Sequence, residues 1–189
     1  MKLKTLLIAI IAVVFSFSCT SQTKVDWMNI NKTQKQASKD GKNAKRYFID
    51  CYTSWCGWCK RLDANTFSND TIARLLNKYY YPVKFDAEGS DEVTINGKTY
   101  KGNGSRKGRG ATHELVSTVF QVRGYPSMVF RNSDFSPVTI IPGYLDAKDL
   151  EPALVFFGEG YDKNLSFEEF EKVYSEKYRA NIIKEIYKK

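Results

Sequence analysis

The sequence of 189 residues predicts an α/β protein in which helices flank a single mixed β-sheet. Three observations indicate this class. Short runs rich in aromatic and β-branched residues alternate along the chain with segments whose apolar residues recur at helical spacing. The composition is 42% hydrophobic and 14% aromatic, which is enough for a packed core and excludes disorder for most of the chain. No internal repeat interrupts this order.

The composition also restricts the chemistry. Four cysteines are too few for a disulfide-dense miniprotein, and one histidine excludes multi-histidine metal sites. The chain carries 29 Lys and Arg against 21 Asp and Glu, a formal net charge of +8. A charge of this size raises the question of nucleic acid or an acidic surface as a partner.

Residues 1–18 have the pattern of a secretory signal peptide. Lys2 and Lys4 precede the apolar stretch 6–17, which is too short to span a bilayer. Two cleavage alternatives follow: ordinary cleavage after residue 18, or lipidation at Cys19, where Ser-Cys resembles an imperfect lipobox. We favour a lipid-anchored form, because a cysteine at the cleavage site would otherwise be an unpaired thiol in an oxidising compartment. Residues 19–25 would then be a polar tether.

Each element of the remaining chain follows from a local pattern. Asp26 is the candidate N-cap of a helix that ends before Gly41. Asn69 caps another helix, and Asn96-Gly97 is the strongest hairpin signal in the sequence. The predicted elements of this half are a helix 26–39, a strand 45–53, a helix 56–65, a helix 69–78, a strand 80–86 and a hairpin 93–100.

Caps and turns mark the second half as well. Thr112 is predicted to cap a helix, Asp146 caps the next one, and Ser166 forms a capping box with Glu169. The predicted elements are a helix from 112, strands 126–131 and 138–141 joined as an antiparallel hairpin, a helix 146–157 and a last helix from 166.

The motif with the clearest chemistry is WCGWCK at residues 55–60, between a predicted strand and a predicted helix. Cys56 would lie at the helix N-terminus, where unpaired N–H groups and the helix dipole favour a thiolate. Cys59, nearly one turn later, could attack a mixed disulfide formed by Cys56. We therefore predict thiol–disulfide exchange, with Cys56 as an exposed nucleophile and Cys59 as a shielded resolving thiol.

Half of a zinc site and two unrelated core thiols are the other interpretations of this motif. A structural zinc ion needs four ligands, and only Cys19, Cys51 and His113 remain, without a second pair at ligand spacing. Unrelated core thiols do not require placement at a helix start. We therefore expect a redox pair and no metal.

Three separated features make residues 26–157 resemble the thioredoxin superfamily. The first is FIDCYTSWCGWCK, in which Asp50 stands six residues before Cys56. The second is Gly124-Tyr125-Pro126 before a predicted strand, and the third is the terminal strand pair followed by a helix. The stretch WCGWCKRLDANTFSNDTIARLL resembles, more specifically, the periplasmic thioredoxin-like domains of transmembrane disulfide reductants.

The resemblance implies a thioredoxin fold, a redox disulfide between Cys56 and Cys59, and a role in proton transfer for Asp50. It also implies a substrate-binding surface around a cis-proline, formed by Trp55, Gly57, Trp58, Tyr125 and Pro126. Two departures stand out in the sequence. Gly-Trp replaces the Gly-Pro of cytosolic thioredoxin, and Ala64 stands where the family has a kinking proline.

Three further side chains need an interpretation. Asp50 lies in an apolar strand, where desolvation should raise its pKa toward a value useful for proton exchange; a buried ion pair with Lys or Arg is the alternative. Cys51 is expected to be a buried strand thiol, with a third redox cysteine as the alternative. His113 is expected at the surface.

Two segments extend the thioredoxin pattern. A Gly-rich insertion, about 88–110, contains five basic residues and no acid between 96 and 110; it is either a solvated loop or a docking loop for an acidic partner or anionic lipid. Residues 159–189 form a helical extension of the domain 26–158. Without residues 1–18 the chain has 27 basic and 21 acidic residues, and the segment 96–110 carries five of that excess. This distribution excludes nucleic acid as a partner.

We therefore expect an exported thiol–disulfide oxidoreductase of the bacterial envelope, more a reductant than an oxidant. It would act on protein disulfides without a cofactor and take electrons from a membrane or periplasmic donor. A disulfide isomerase or an oxidant with the same site remains an alternative, because the two residues between the cysteines tune the potential over about 150 mV. A binding lipoprotein with a structural disulfide is the non-enzymatic alternative.

Overall fold

The computed structural model describes residues 22–102, 104 and 111–188. The predicted signal peptide, Cys19 and most of the basic insertion lie outside the described residues. The elements in chain order are α1 (Ile30–Asp40), β1 (Arg46–Tyr52), α2 (Gly57–Leu62), α3 (Asp70–Tyr79), β2 (Tyr80–Asp86), β3 (Val93–Ile95), β4 (Lys98–Tyr100), β5 (Ser127–Arg131), β6 (Pro137–Pro142), α4 (Ala147–Gly158), α5 (Phe167–Val173) and α6 (Arg179–Ile186).

The central sheet has four strands in the order β2-β1-β5-β6. Strand β1 runs parallel to β2 and antiparallel to β5, and β5 is antiparallel to β6. Strands β3 and β4 form a separate hairpin at the predicted position. This mixed sheet flanked by helices confirms the predicted fold class.

Three π-helical turns continue or replace regular helix, at Asp63–Phe67, Val116–Phe120 and Tyr174–Tyr178. The first follows α2 directly and includes Ala64, where the family's kinking proline is missing. The third divides the predicted last helix into α5 and α6. At the first of these turns, Asp63–Phe67, the helix that begins at the CxxC motif changes its winding without a proline.

Two predicted helix starts are wrong. The N-cap of α1 is Asn29, not Asp26, because the preceding chain is extended and Met28 exchanges backbone hydrogen bonds with the β2 residues Pro82 and Lys84. Thr112 does not act as the predicted cap. His113 Nδ1 accepts a hydrogen bond from Leu115 N (3.1 Å) instead.

His113 is also completely buried, in contrast to the expected surface position. Its ring packs edge-on against Phe85 at 5.1 Å, and its Nε2 lies 2.8 Å from the carbonyl oxygen of Asp91. Its backbone N–H donates to the Ala87 carbonyl at 2.8 Å. The single histidine is therefore a structural residue that joins the chain after β2 to the chain before the Val116–Phe120 turn.

The side chains of β1 alternate between two apolar clusters, as expected for a strand with both faces covered. Tyr47, Ile49 and Cys51 pack with α1 and the Val116–Phe120 turn. Phe48 faces the opposite cluster, which contains apolar side chains of α2, α3 and α4. Asp50 lies two residues after Phe48 and therefore shares its face.

Residues 22–26, which include the end of the predicted polar tether, lie along helix α3. Thr23 N donates to Asp70 Oδ1 at 2.6 Å, and Asn77 Nδ2 donates to the Lys24 carbonyl at 2.8 Å. Asp26 N donates to Asn77 Oδ1 at 2.9 Å. This part of the N-terminal segment is therefore fixed to the domain, whereas residues 19–21 lie outside the described part of the chain.

The C-terminal extension packs into the second cluster through its aromatic side chains. The Phe170 ring lies 5.2 Å from the rings of both Phe156 and Tyr174. Three ion pairs among the described residues also join the extension to the domain: Arg46 with Asp162 (2.8 Å), Lys78 with Glu185 (2.7 Å) and Arg179 with Glu151 (2.6 Å). Among the helices that the structure describes, none is long and apolar enough to cross a membrane.

Replacing Phe170 tests whether the extension stabilises the domain. Phe170→Ala should lower the free energy of unfolding by about 3–5 kcal/mol, because it leaves a cavity in a fully buried aromatic cluster. Urea unfolding followed by circular dichroism measures this change. Val173→Ala, on the exposed side of α5, should change stability by less than about 0.5 kcal/mol. Equal effects of the two variants would contradict the packing role.

Candidate active site

The CxxC motif lies where the central strand leads into a helix. Four residues after the end of β1, Cys56 is the N-cap of α2, and its backbone N–H donates to the Thr53 carbonyl at 3.1 Å. Cys56 Sγ accepts a hydrogen bond from Cys59 N at 3.0 Å and is disulfide-bonded to Cys59. A sulfur at a helix N-terminus lies among N–H groups that favour its anionic form.

The exposure of this pair differs from the sequence-based expectation. Cys56, expected to be exposed, has only 4% of its surface accessible in this disulfide form, and Cys59 has 2%. The reason is that the Cys56 sulfur turns toward the helix, where it bonds to Cys59 and accepts the Cys59 N–H. The indoles of Trp55 and Trp58 are exposed on either side of it.

The loop before β5 lies beside the motif. Ser127, the first residue of β5, pairs with Cys51 near the end of β1, so the preceding Tyr125-Pro126 lies at the same edge of the sheet as Cys56. The Tyr125-Pro126 peptide bond is cis, and the Tyr125 ring contacts the Trp55 ring edge-on at 6.2 Å. The structure thus brings the predicted substrate-contacting residues to one end of the sheet.

Asp50 lies on the face of β1 that is covered by α2, and it is fully buried. Lys84 is its partner in the parallel register with β2, and Lys84 Nζ donates to Asp50 Oδ2 at 2.5 Å. Asp50 Oδ1 has no hydrogen-bond partner among the described residues. Burial raises the pKa of Asp50 to about 6, although Lys84 acts in the opposite direction.

Lys84 was not singled out from the sequence. Besides Asp50 it also binds Asp63, and its ammonium group lies 5.1 Å from the Trp27 and Tyr52 ring centres. Burial lowers the pKa of Lys84, but the two carboxylates outweigh burial and the pKa is raised. The available signal was a lone cation inside the strand YYPVKFD, whose other residues before the final Asp86 are apolar or aromatic.

Further residues that shape the site were also missed. Glu88 is nearly buried after β2 and accepts a hydrogen bond from Trp55 Nε1 at 3.0 Å. The Trp58 ring lies 5.6 Å from the Tyr144 ring, and the Arg61 guanidinium lies 5.3 Å from the Trp58 ring centre. A tyrosine that follows the turn residues Pro142-Gly143 carries no sequence signal for such a contact.

Cys51 lies on the other face of β1 and is a buried free thiol. Burial raises its pKa well above the ordinary value, which keeps it protonated and unreactive. Within the described parts of the chain, no group of three His, Cys, Asp or Glu residues could hold a metal ion. The reactive group that this arrangement presents is the Cys56–Cys59 disulfide.

The sequence profile of thioredoxin-like domains matches residues 30–158. The chain belongs to the thioredoxin-like family. This match covers more than half of the chain, from the start of α1 to the end of α4. The thioredoxin-like fold and the CxxC pair together support thiol–disulfide oxidoreductase chemistry in general.

Two of the curated proteins with similar sequences are a thiol:disulfide interchange protein and an uncharacterised protein. The thiol:disulfide interchange protein DsbD of Yersinia pestis is 28% identical over 134 residues, which is 68% of this chain and 19% of that protein. The uncharacterised protein B0495.5 of Caenorhabditis elegans is 27% identical over 115 residues, 61% of this chain and 13% of that protein. The chain therefore spans less than a fifth of the length of these relatives.

The solved structures that resemble this one include the following two. A Bacteroides thetaiotaomicron protein that carries a provisional assignment as a disulphide isomerase is 26% identical, with a TM-score of 0.50, over 71% of this chain and 93% of that one. The oxidoreductase DsbH has a TM-score of 0.50 at 12% identity, over 70% of this chain and 83% of that one. The second likeness shows the thioredoxin-like fold alone.

The buried acid should make stability depend on pH. Asp50 has a pKa of about 6 in the folded protein and about 4 in an unfolded chain, so between these values the folded state holds the extra proton. Wild-type stability should therefore fall as pH rises through this window, by about 3 kcal/mol relative to Asp50→Asn. Denaturant unfolding of both oxidised proteins from pH 4 to 8 measures this difference.

A matched control is Asp26→Asn, which removes an exposed acid from the same domain. Its pH profile should run parallel to that of the wild type. If Asp50→Asn also ran parallel, the raised pKa of Asp50 would be wrong.

Proposed function

We propose that this protein is an exported thiol–disulfide oxidoreductase that reduces protein disulfides in the bacterial envelope. The observation that carries the proposal is the position of Cys56. It caps a helix, is disulfide-bonded to Cys59, and lies at the same sheet edge as the Tyr125-Pro126 loop. The direction of the reaction rests on the resemblance to domains of disulfide reductants, and its substrates are part of the proposal.

The first step is attack on the substrate. In the reduced protein the Cys56 thiolate attacks one sulfur of a substrate disulfide; a mixed disulfide forms and the other substrate sulfur leaves as a thiolate. The N–H groups at the start of α2 stabilise the attacking thiolate. In the described structure the Cys59 N–H already points at the Cys56 sulfur, at 3.0 Å.

The second step releases the product. Cys59 loses its proton and attacks Cys56 Sγ, which re-forms the Cys56–Cys59 disulfide and frees the second substrate thiolate. Two electrons have then passed from the dithiol to the substrate, and two protons complete its thiols. Asp50 is the proposed proton acceptor for Cys59, supported by its unpaired Oδ1 and by a pKa of about 6, near the working pH.

The substrate would lie across the aromatic surface around the disulfide. Pro126 lacks an N–H group, so it limits pairing to the backbone at Tyr125, where an extended segment could bind. Trp55, Gly57 and Trp58 would contact the same segment, and both indoles are exposed. No cofactor is required, because each cycle needs only re-reduction by a membrane or periplasmic dithiol donor.

Export is proposed from the signal-peptide pattern of residues 1–18, and anchoring from Cys19. Both lie outside the described residues. If Cys19 carries a lipid, the domain acts at a membrane surface; with ordinary cleavage it is free in the periplasm. Metabolic labelling with a palmitate analogue separates these forms, since only lipidation would label the wild type and spare Cys19→Ala.

Disulfide isomerisation is the second candidate, favoured by the likeness to the Bacteroides thetaiotaomicron protein. An isomerase uses the same nucleophile but returns the electrons to the substrate in a new pairing. Reduction of insulin, compared with recovery of activity from a scrambled disulfide protein, distinguishes the two functions. We expect insulin reduction to be the faster activity; efficient unscrambling with slow insulin reduction would favour isomerase.

The order of the two thiols is testable by trapping. Cys59→Ser should accumulate a mixed disulfide through Cys56, because the thiol next to Cys56 that would resolve it is gone, and turnover should fall at least about 10³-fold. Cys56→Ser should form no mixed disulfide. Non-reducing electrophoresis and mass spectrometry identify the adduct.

Cys51→Ser is the matched control for these variants. Cys51 lies on the opposite face of β1, so this variant should retain wild-type turnover. A mixed disulfide that required Cys51 would contradict the proposed mechanism. A Cys56–Cys59 bond that resisted dithiothreitol until the protein unfolded would instead favour a structural disulfide in a binding protein.

A further inference from the structure

Three exposed basic residues lie in the two segments that form the site. Lys60 and Arg61 follow Cys59 on α2, and Arg123 lies in the loop that leads to Tyr125. All three side chains are exposed. Across residues 22–102, 104 and 111–188, no carboxylate forms an ion pair with any of them. We call these three residues the basic rim.

The acids close to this rim are engaged elsewhere. Asp50 is buried and paired with Lys84, and nearly buried Glu88 accepts from the Trp55 indole. Two further acids also have partners. Asp63, close to Arg61 in the sequence, binds Lys84, and Asp146, close to Tyr144, caps α4 by accepting from Asp149 N. Lys60, Arg61 and Arg123 therefore present three exposed positive charges that no ion pair among the described residues neutralises.

Arg61 is held in place by aromatic contacts. Its guanidinium lies 5.3 Å from the centre of the Trp58 ring, and Trp58 also packs against Tyr144. Two hydrogen bonds fix the chain on either side of Tyr144: Gly143 N donates to the Pro126 carbonyl (2.8 Å), and the Thr66 side chain donates through Oγ1 to the Leu145 carbonyl (2.7 Å). Stacking on a ring leaves the N–H edge of a guanidinium available for a carboxylate.

From this charge and geometry we propose that the basic rim selects protein disulfides carried on acidic segments. This inference rests on the proposed reductase function. A carboxylate beside the substrate cysteine would pair with Arg61 on one side of the disulfide or with Arg123 on the other. Such pairs at an exposed rim accelerate the encounter more than they strengthen the final complex, so the selection should be found in the association rate.

Three peptides that differ only in charge test the proposal. Each contains one intramolecular disulfide, flanked by two Glu, two Gln or two Lys residues. The pre-reduced protein is mixed with each peptide, and the second-order rate constant of peptide reduction is measured. The Glu peptide should react about tenfold faster than the Lys peptide at low ionic strength, and the difference should shrink in about 0.5 M salt.

Charge reversal at the rim provides the decisive comparison. The double variant Arg61→Glu/Arg123→Glu should invert the order of the Glu and Lys peptides. Lys35→Glu makes a matched change on exposed α1, which covers the other face of the sheet, and should preserve the wild-type order. Because each ratio compares two peptides on one protein, any change in redox potential affects both rates and cancels.

Equal rates for the three peptides, or a Glu preference that survives the double variant, would overturn the proposal. A different result separates this proposal from the function on which it rests. If the reduced wild type reduced none of the peptides and no insulin, the proposed reductase function would fail, and the rim selectivity with it.

Discussion

The register of strand β1 is the constraint on which the site depends. Strand β2 pairs with one edge of β1 and places Lys84 opposite Asp50, while β5 pairs with the other edge and places Ser127 opposite Cys51. The end of the same strand delivers Cys56 to the start of α2. The proton-binding group, the disulfide and the Tyr125-Pro126 loop are therefore all positioned by the hydrogen bonds of one central strand. A slip of one residue would turn Asp50 to the opposite face.

Charge is distributed in two layers around the disulfide. Asp50 and Glu88 lie inside, where desolvation and specific donors control them, and the exposed rim is cationic. A buried acid with a pKa of about 6 costs folding free energy at neutral pH, so the surrounding structure has to offset that cost. The aromatic cluster that Phe170 and its neighbours build beneath the same face of the sheet is one such contribution.

Local signals predicted most of the fold. The caps Asn69, Asp146 and Ser166 and the Asn96-Gly97 turn lie where expected, because each depends on residues close in sequence. Asp26 and Thr112 were wrong as caps because distant backbone and side-chain partners decide those helix starts. The residues at the CxxC motif could be named from spacing alone. Lys84, Glu88 and Tyr144 could not, since strand register and loop packing bring them to the site.

The base of the Gly-rich insertion has an evolutionary consequence. A Cβ on Gly102 would lie 1.9 Å from the Gly89 carbonyl oxygen and 2.6 Å from His113 Cδ2, so only glycine fits there. The Lys101 N–H also donates to Glu114 Oε2 at 2.9 Å. The chain segments that enter and leave the insertion are thus hydrogen-bonded to each other close to the domain. Because the entropy of closing a loop grows slowly with its length, changes in the length of the segment between these fixed ends should cost the domain little stability, and evolution can alter that length.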